Sequence, residues 1–457
     1  MMHRFKQFTP ARWGSAGWLI LGGLAVLALW VHSPHAVTIE DETYYLGQAH
    51  ALARGVLHPS NLDPYPGLDN SLGPIIRYPL IWPLVLAPFV YFKLVFGLWV
   101  NAVVHIAGAL VFLALLRRRG LPAKYGFLFL LQPALFLYSS TAMADTMAVF
   151  LLLMGLWCRE NEKNFASGLC WGLMAALRMA TLVYGAAFFF VDFWEWKRGR
   201  MSGRRLMQWI LGYGIAASLA PLSYQLMQGY PLPFYYMGTR GAAWQPSPLF
   251  IVQFLLFYAA ALLAVYPGML LGWAWNTTRE KTAVAAALLF QSCYFFIDSG
   301  RTVFESWVIG QRLILPAVAL LLLGYARLWD RLEKRGLSGL WTVFCLGTLL
   351  VMGLLGHRLA VYHRQLVTAA HQIDENLPDA APLHYAPGAI KLVQMLQKPK
   401  TYFPDRRLRI DPDPAGIYYL APNQYLSYRW SVGRPMSPLP SGAQVETEFA
   451  SLYRVKS

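Results

Sequence analysis

Apolar residues run through this chain in long blocks separated by short polar punctuation. The first block covers about 15–33, and later ones fall near 98–117, 124–139, 144–158, 164–178, 180–195, 206–227, 250–273, 281–298, 311–329 and 338–356. A helix needs about 20 apolar residues to cross a bilayer, so the pattern predicts about eleven spans, several of them short. The segment 34–97 between the first two blocks is too long for a turn, and long ordered loops usually carry function. Within it, Thr38-x-x-Asp41 has the form of a capping box and predicts a helix from about Ile39 to Arg54, ended near Gly55. Tyr45, Ala49 and Leu52 share one face of that helix, as expected of a helix lying in the interface plane. Residues 79–97 are apolar but broken by Pro79, Pro83 and Pro88, and read as a second interfacial or re-entrant piece. From about His357 the pattern turns polar and Pro-rich, with a short helix predicted over Gly388–Gln397 and strands over Gly416–Leu420 and Gln424–Trp430. The expected architecture is an all-α polytopic membrane domain, residues 1–356, followed by a small extracytoplasmic α/β domain, residues 357–457.

Composition agrees with a membrane protein. Of 457 residues, 56% are hydrophobic and 14% charged, against about 25% charged in a soluble domain. The net charge of +16 does not point to nucleic acid, because the basic residues cluster between apolar blocks. These clusters are Arg117-Arg118-Arg119 with Lys124, Arg159 with Lys163, Lys197 to Arg205, Arg279 with Lys281, and Arg327 to Arg335. Such clusters mark cytoplasmic loops. The N-terminus, with Arg4, Lys6 and Arg12, is then cytoplasmic, and the protein is multi-pass in the inner (plasma) membrane. No small-residue cleavage site follows the first block, which reads as an uncleaved span. Cys158, Cys170, Cys293 and Cys345 lie in or beside apolar blocks without zinc or disulfide spacing and read as packing residues.

On this topology the candidate chemistry gathers outside. Glu40, Asp41 and Glu42 stand at the edge of the first span, where acids are costly without partners. Adjacent helical side chains diverge by about 100°, so Asp41 and Glu42 cannot share one reacting centre. Asp145 opens a later helix, where the dipole alone favours an acid by about 0.3–1 kcal/mol. A third external group holds Asp298, Arg301, Glu305, Gln311 and Arg312. Arg178 and Arg312 are cations at membrane depth on the side where basic residues are scarce, which requires snorkelling or a partner. His32, His35, His50 and His58 lack ligand spacing and read as solvated, and His105 reads as a packed polar residue. Asn276-Thr277-Thr278 has sequon form but falls on the cytoplasmic side. No Gly-rich phosphate loop is present, so a nucleotide-sugar donor is not expected.

An external carboxylate beside lipid-facing cations suits group transfer from a membrane-held phosphate. The departing phosphate needs positive charge rather than a general acid, and one carboxylate must accept the proton of the incoming hydroxyl. Asp41 as base, with Arg77, Arg178, Arg301 or Arg312 near the phosphate, would fill those roles.

The motifs Asp41-Glu42-x-x-Tyr45, Arg77-Tyr78-Pro79-Leu80, Asp145, Arg178, Gln228-Gly229-Tyr230-Pro231 and Gln311-Arg312-Leu313-Ile314-Leu315-Pro316 follow one another in a telling order. In that order the membrane region resembles the GT-C glycosyltransferases, specifically the bacterial relatives of protein O-mannosyltransferases and of the lipid A aminoarabinose transferase. The resemblance implies a catalytic base at Asp41 and an assisting acid at Asp145, which in some members helps hold a divalent metal. It also implies a polyprenyl-phosphate-linked sugar donor and an acceptor outside the cytoplasm. The expected catalytic set is Asp41, Glu42 and Asp145, and the expected substrate-binding set is Tyr45, Arg77, Tyr78, Arg178, Arg301 and Arg312. Where some relatives carry Lys-Pro-Pro, this chain has Arg77-Tyr78-Pro79. The activity expected is hexosyl or pentosyl transfer with inversion. A transporter or flippase for a lipid-linked glycan is the alternative; it would show internal repeats and mid-membrane charges, whereas here the acids cluster at one face.

Overall fold

A computed structural model of the chain describes residues 15–32, 36, 40–55, 78–232, 247–293 and 303–378, with five short strands beyond them. α1 (Ser15–His32) is the first apolar block. α2 (Glu40–Ala53) carries the acids, and the chain leaves it at Gly55, which adopts φ 76°. α2 is buried on nearly every side rather than on one face, because α3 (Ile81–Phe92) packs along it. The proposed capping residue Thr38 lies outside the described residues. α3 runs through Pro88 to Lys93, whose extended backbone (φ −158°, ψ 143°) turns the chain into α4 (Leu94–Arg118). The apolar stretch 79–97 is therefore a short helix followed by the first turn of a span.

The block expected at 124–139 is broken. A 3-10 turn at Ala123–Tyr125 leads into α5 (Gly126–Leu130) and then α6 (Pro133–Ser139). Gln132 caps α6 by accepting the Leu135 amide, and Pro133 sits in the first turn, where its missing N–H is harmless. α7 (Ala144–Glu160) leaves α6 at a bend of 119°. α8 (Asn164–Leu177), a 3-10 turn at Met179–Thr181 and α9 (Leu182–Lys197) make the short pair around Arg178. α10 (Gly203–Ala217) and α11 (Leu219–Gln228) follow. α8 and α10 meet backbone to backbone: a Cβ on Gly168 would overlap the Trp209 carbonyl, and one on Gly212 the Phe165 carbonyl. Membrane helices associate through such small-residue contacts.

α12 (Pro248–Ala264) gives way after Gly268 (φ 79°) to a 3-10 helix, Met269–Trp275, bent 96° from it. α13 (Thr278–Ser292) opens with a capping box formed by Thr277 and Glu280. Thr277 thus serves as a helix cap, while the Asn276 amide donates to the Leu320 carbonyl at 3.1 Å. α14 (Val303–Gly310) passes through a 3-10 turn, Gln311–Ile314, into α15 (Leu315–Lys334). α16 (Ser338–Glu375) has 38 residues and continues well past residue 356; at 1.5 Å per residue it is about 57 Å long.

Among the described residues four helical stretches are long and apolar enough to cross a membrane: Phe96–Arg118, Gly203–Met227, Val303–Lys334 and Ser338–Glu375. The number rises to six if each of the two bent pairs, α6 with α7 and α12 with its 3-10 extension, counts as one span. The remaining apolar blocks of the expected eleven are shorter or interrupted helices, since Pro133, Gly268 and the extended Arg178 each stop a run that hydropathy reads as continuous. β1 (Pro382–Tyr385), β2 (Thr401–Pro404), β3 (Tyr418–Pro422), β4 (Val445–Glu446) and β5 (Ala450–Arg454) form a mixed sheet of order β2-β1-β3-β5-β4. β1 is parallel to β2 and β3, and β5 is antiparallel to β3 and β4. The helix expected at 388–397 and the strand expected at 424–430 lie outside the described residues.

The bundle has two chemically different ends. α7 carries Asp145 in its first turn and ends with Glu160, and α15 follows Arg312 and ends with Lys334, so the ends are separated by about 22–30 Å of helix rise. The basic clusters meet at the far end. Arg119 bridges Glu160 and Glu280, both at 2.5 Å, Lys124 pairs with Glu333, and Asp192 sits between Arg159 (2.9 Å) and Arg279. Lys197 and Arg198 lie over the Trp196 and Trp194 rings at 5.2 and 5.0 Å, the amphipathic pairing of a membrane interface.

Candidate active site

The near end is built from four segments that are far apart in sequence. Asp41 lies in the first turn of α2 and Asp145 in the first turn of α7. Arg178 occupies the extended break between α8 and its 3-10 turn, where Thr181 Oγ donates to the Met174 and Arg178 carbonyls at 2.9 and 2.7 Å. Arg312 lies in the 3-10 turn between α14 and α15. In each case a helix end or a broken helix faces the side chain into the bundle.

These side chains form an alternating chain of charges. An Arg312 terminal nitrogen donates to Asp41 Oδ2 at 2.6 Å, and Arg312 Nε stands 3.6 Å from Asp145 Oδ2. Asp145 also pairs with Arg178. Both carboxylates are buried, Asp41 at 1% exposure and Asp145 at 2%, with Arg312 at 6%. Ions this deeply withdrawn persist only when paired. The Arg312 guanidinium also approaches the Met143 sulfur at 3.9 Å.

Arg312 is held from behind by neutral groups. The neighbouring Gln311 accepts from Gln132 Nε2 at 2.8 Å and donates to the Ala261 carbonyl at 3.2 Å. Its position is therefore tied to α6 and α12. Tyr138 donates to the Ile309 carbonyl at 3.0 Å, joining α6 to α14.

The structure thus brings Asp41, Asp145, Arg178 and Arg312 together. Glu42, fully buried, diverges from Asp41: its Oε2 accepts the Ala142 amide at 2.8 Å. Tyr45, one turn beyond Asp41, stacks on Tyr78 with ring centroids 4.4 Å apart, and both are buried. Arg77 and Arg301 lie outside the described residues. Sequence reasoning passed over Trp82, Asn101 and Gln132, whose polar atoms all bind this region. An uncharged polar side chain inside an apolar block was the available signal. His105 packs on Phe129 with centroids 5.2 Å apart and its ring Nε2 lies 3.2 Å from the Leu130 carbonyl, a structural arrangement.

Among the described residues no group of three or more His, Cys, Asp or Glu side chains converges. The cationic positions beside Asp41 and Asp145 are already filled by guanidinium groups.

No family model matches the chain, and no curated protein matches it. Its likeness lies in three dimensions. ArnT from Cupriavidus metallidurans bound to undecaprenyl phosphate aligns with a TM-score of 0.59 at 12% identity, over 95% of this chain and 97% of that one. The apo state of the same protein aligns with a TM-score of 0.56 at 14% identity, over 96% and 97%. Nearly the whole length of both chains is aligned, so this protein has the fold of ArnT from Cupriavidus metallidurans.

Proposed function

We propose that this protein transfers a sugar from a polyprenyl-phosphate donor to an acceptor on the outer side of the inner membrane. The observation that carries this reading is the buried chain Asp41–Arg312–Asp145–Arg178 at the end of the bundle opposite the basic clusters. The positive-inside bias assigns those clusters to the cytoplasm, and hence the N-terminus to the cytoplasm and the site to the outside. The catalytic membrane domain, expected over residues 1–356, then extends along α16 to Glu375, and the sheet-containing remainder is an outer domain. The fold shared with an ArnT structure that binds undecaprenyl phosphate supports the donor class. That the buried acids stand at the two ends of the bundle, not along its middle, favours a transferase over a carrier.

In the proposed reaction the donor phosphate takes up the guanidinium groups of Arg312 and Arg178, with Arg77 and Arg301 as further candidate contacts. Asp41, released from Arg312, accepts the proton of the acceptor hydroxyl as its oxygen forms a bond to the anomeric carbon. The bond from that carbon to the phosphate oxygen breaks on the opposite face, and the electron pair leaves with the polyprenyl phosphate, stabilised by arginine. One displacement inverts the anomeric centre. Asp145 holds both arginines in place, and the stacked Tyr45–Tyr78 pair is a candidate sugar-binding platform.

The test is transfer of labelled sugar from polyprenyl phosphate by purified protein. Wild-type transfer with loss in Asp41→Asn, at retained folding and undecaprenyl phosphate binding, supports the reading. Transfer by Asp41→Asn at the wild-type rate removes Asp41 as base.

A further inference from the structure

Three buried side chains from three consecutive helices close on one three-residue turn. The turn Thr141–Met143 joins α6 to α7 and delivers Asp145 to the charge chain. Glu42 of α2 accepts the Ala142 amide at 2.8 Å. Trp82 of α3 donates its indole N–H to the Ala142 carbonyl at 2.7 Å. Asn101 of α4 donates to the Thr141 and Met143 carbonyls at 2.6 and 2.5 Å. Both sides of the Ala142 peptide are thus occupied by side chains, and all three are fully buried.

The turn needs these partners. A bend of 119° separates α6 from α7, so the last carbonyls of one helix and the first amides of the other have no helical partners. Ser139, Ser140 and Thr141 return their own hydroxyls to the Phe136, Leu137 and Tyr138 carbonyls at 2.6–2.8 Å. What remains at 141–143 is held by Glu42, Trp82 and Asn101. Two residues beyond Ala142 the chain reaches the α7 turn carrying Asp145, and Met143 lies against Arg312.

We propose that Glu42 is a positioning residue rather than a proton acceptor: with Trp82 and Asn101 it fixes the 141–143 turn and thereby sets Asp145 against Arg312. This rests on the transferase reading above and reassigns the second acid of the Asp41-Glu42 pair. Asp41 meets a guanidinium, while Glu42, pointing about 100° away around the helix, meets a backbone amide.

The experiment compares wild type, Glu42→Gln, Glu42→Ala, Asn101→Ala and Asp41→Asn for transfer from polyprenyl-phosphate sugar across pH. Hydrogen exchange over residues 136–150 is read in parallel and does not depend on activity. Gln keeps an oxygen at the reach of the Ala142 amide, so Glu42→Gln should hold kcat within about tenfold of wild type and keep the acid limb of the pH profile. Glu42→Ala and Asn101→Ala misplace Asp145, and should lose about a hundredfold in kcat/KM with faster exchange over the turn. If wild-type protein transfers sugar but Glu42→Gln is as inactive as Asp41→Asn at the same melting temperature, the positioning role is overturned alone. Slow exchange in Glu42→Ala, or a lowered melting temperature with turnover intact, overturns it as well. Absence of transfer by the wild type overturns the transferase reading itself.

Discussion

The chain buries two comparable acids at opposite ends, and neutralising each should separate chemistry from stability. Asp192 is wholly buried between Arg159 and Arg279, and Asp41 is 1% exposed against Arg312. Breaking a buried ion pair costs about 3–5 kcal/mol, chiefly because the surviving charge is left without a counter-ion. Asp192→Asn strands two arginines, but the Arg279 side chain is 27% exposed and can rehydrate, so about 2–3 kcal/mol is expected. Asp41→Asn leaves Arg312 its second contact, Asp145 at 3.6 Å, so the loss should be smaller, about 1–2 kcal/mol. Activity should follow the reverse order. Loss of a general base removes about 10²–10⁴ in turnover, whereas Asp192, some 20 Å of helix away, touches no reacting atom in the proposed mechanism. The assay pairs thermal melting in nanodiscs with transfer of labelled sugar at a temperature where every variant is folded. Asp192→Asn should melt earlier than Asp41→Asn and still turn over. If Asp192→Asn is as inactive as Asp41→Asn while folded, the separation of the two ends is wrong.

Further predictions follow the same geometry. Arg312→Lys keeps a charge but cannot bridge Asp41 and Asp145 together, so kcat/KM should drop at least tenfold, measured by initial rates at varied donor. Gln132→Leu leaves Gln311 without its α6 partner and should raise the donor KM several-fold with a melting loss of about 1–2 kcal/mol. Gly168→Leu drives a side chain into the Trp209 carbonyl and should abolish folded yield in size-exclusion chromatography, whereas Gly214→Leu, with open space around its Cβ position, should be recovered as wild type.

Charges were legible in the sequence because each stood where hydropathy made it conspicuous. Asp41, Asp145, Arg178 and Arg312 interrupt apolar surroundings, and the structure draws these four into contact. Neutral partners were far less legible. Asn101 and Gln132 barely dent a hydropathy average, and Trp82 reads as apolar, yet all three find backbone or side-chain partners 40 or more residues away. Asp192 lay inside an apolar block and could have been singled out by the same logic as Arg312. Span count was the least legible property, since a break such as Leu131–Gln132 or Gly268 leaves the apolar run intact while ending the helix, and at Gly268 the chain bends by 96°. The second half of α16 was hidden differently. Its buried stripe of Leu359, Tyr362, Leu366, Ala369 and Ile373 repeats every three or four residues beneath a polar composition.

The four-membered chain of aspartate and arginine sums to zero formal charge. On the proposed chemistry the donor, a phosphodiester, brings one negative charge among these buried side chains. Its phosphate competes with Asp41 for the Arg312 guanidinium, and a carboxylate that loses its cation becomes a stronger base. The acceptor hydroxyl then supplies the proton that Asp41 takes up, and the charge that proton leaves behind departs on the polyprenyl phosphate. An acceptor arriving first finds Asp41 paired with Arg312; one arriving after the donor finds it released. Order of addition is thereby written into the electrostatics, with the lipid-linked sugar first.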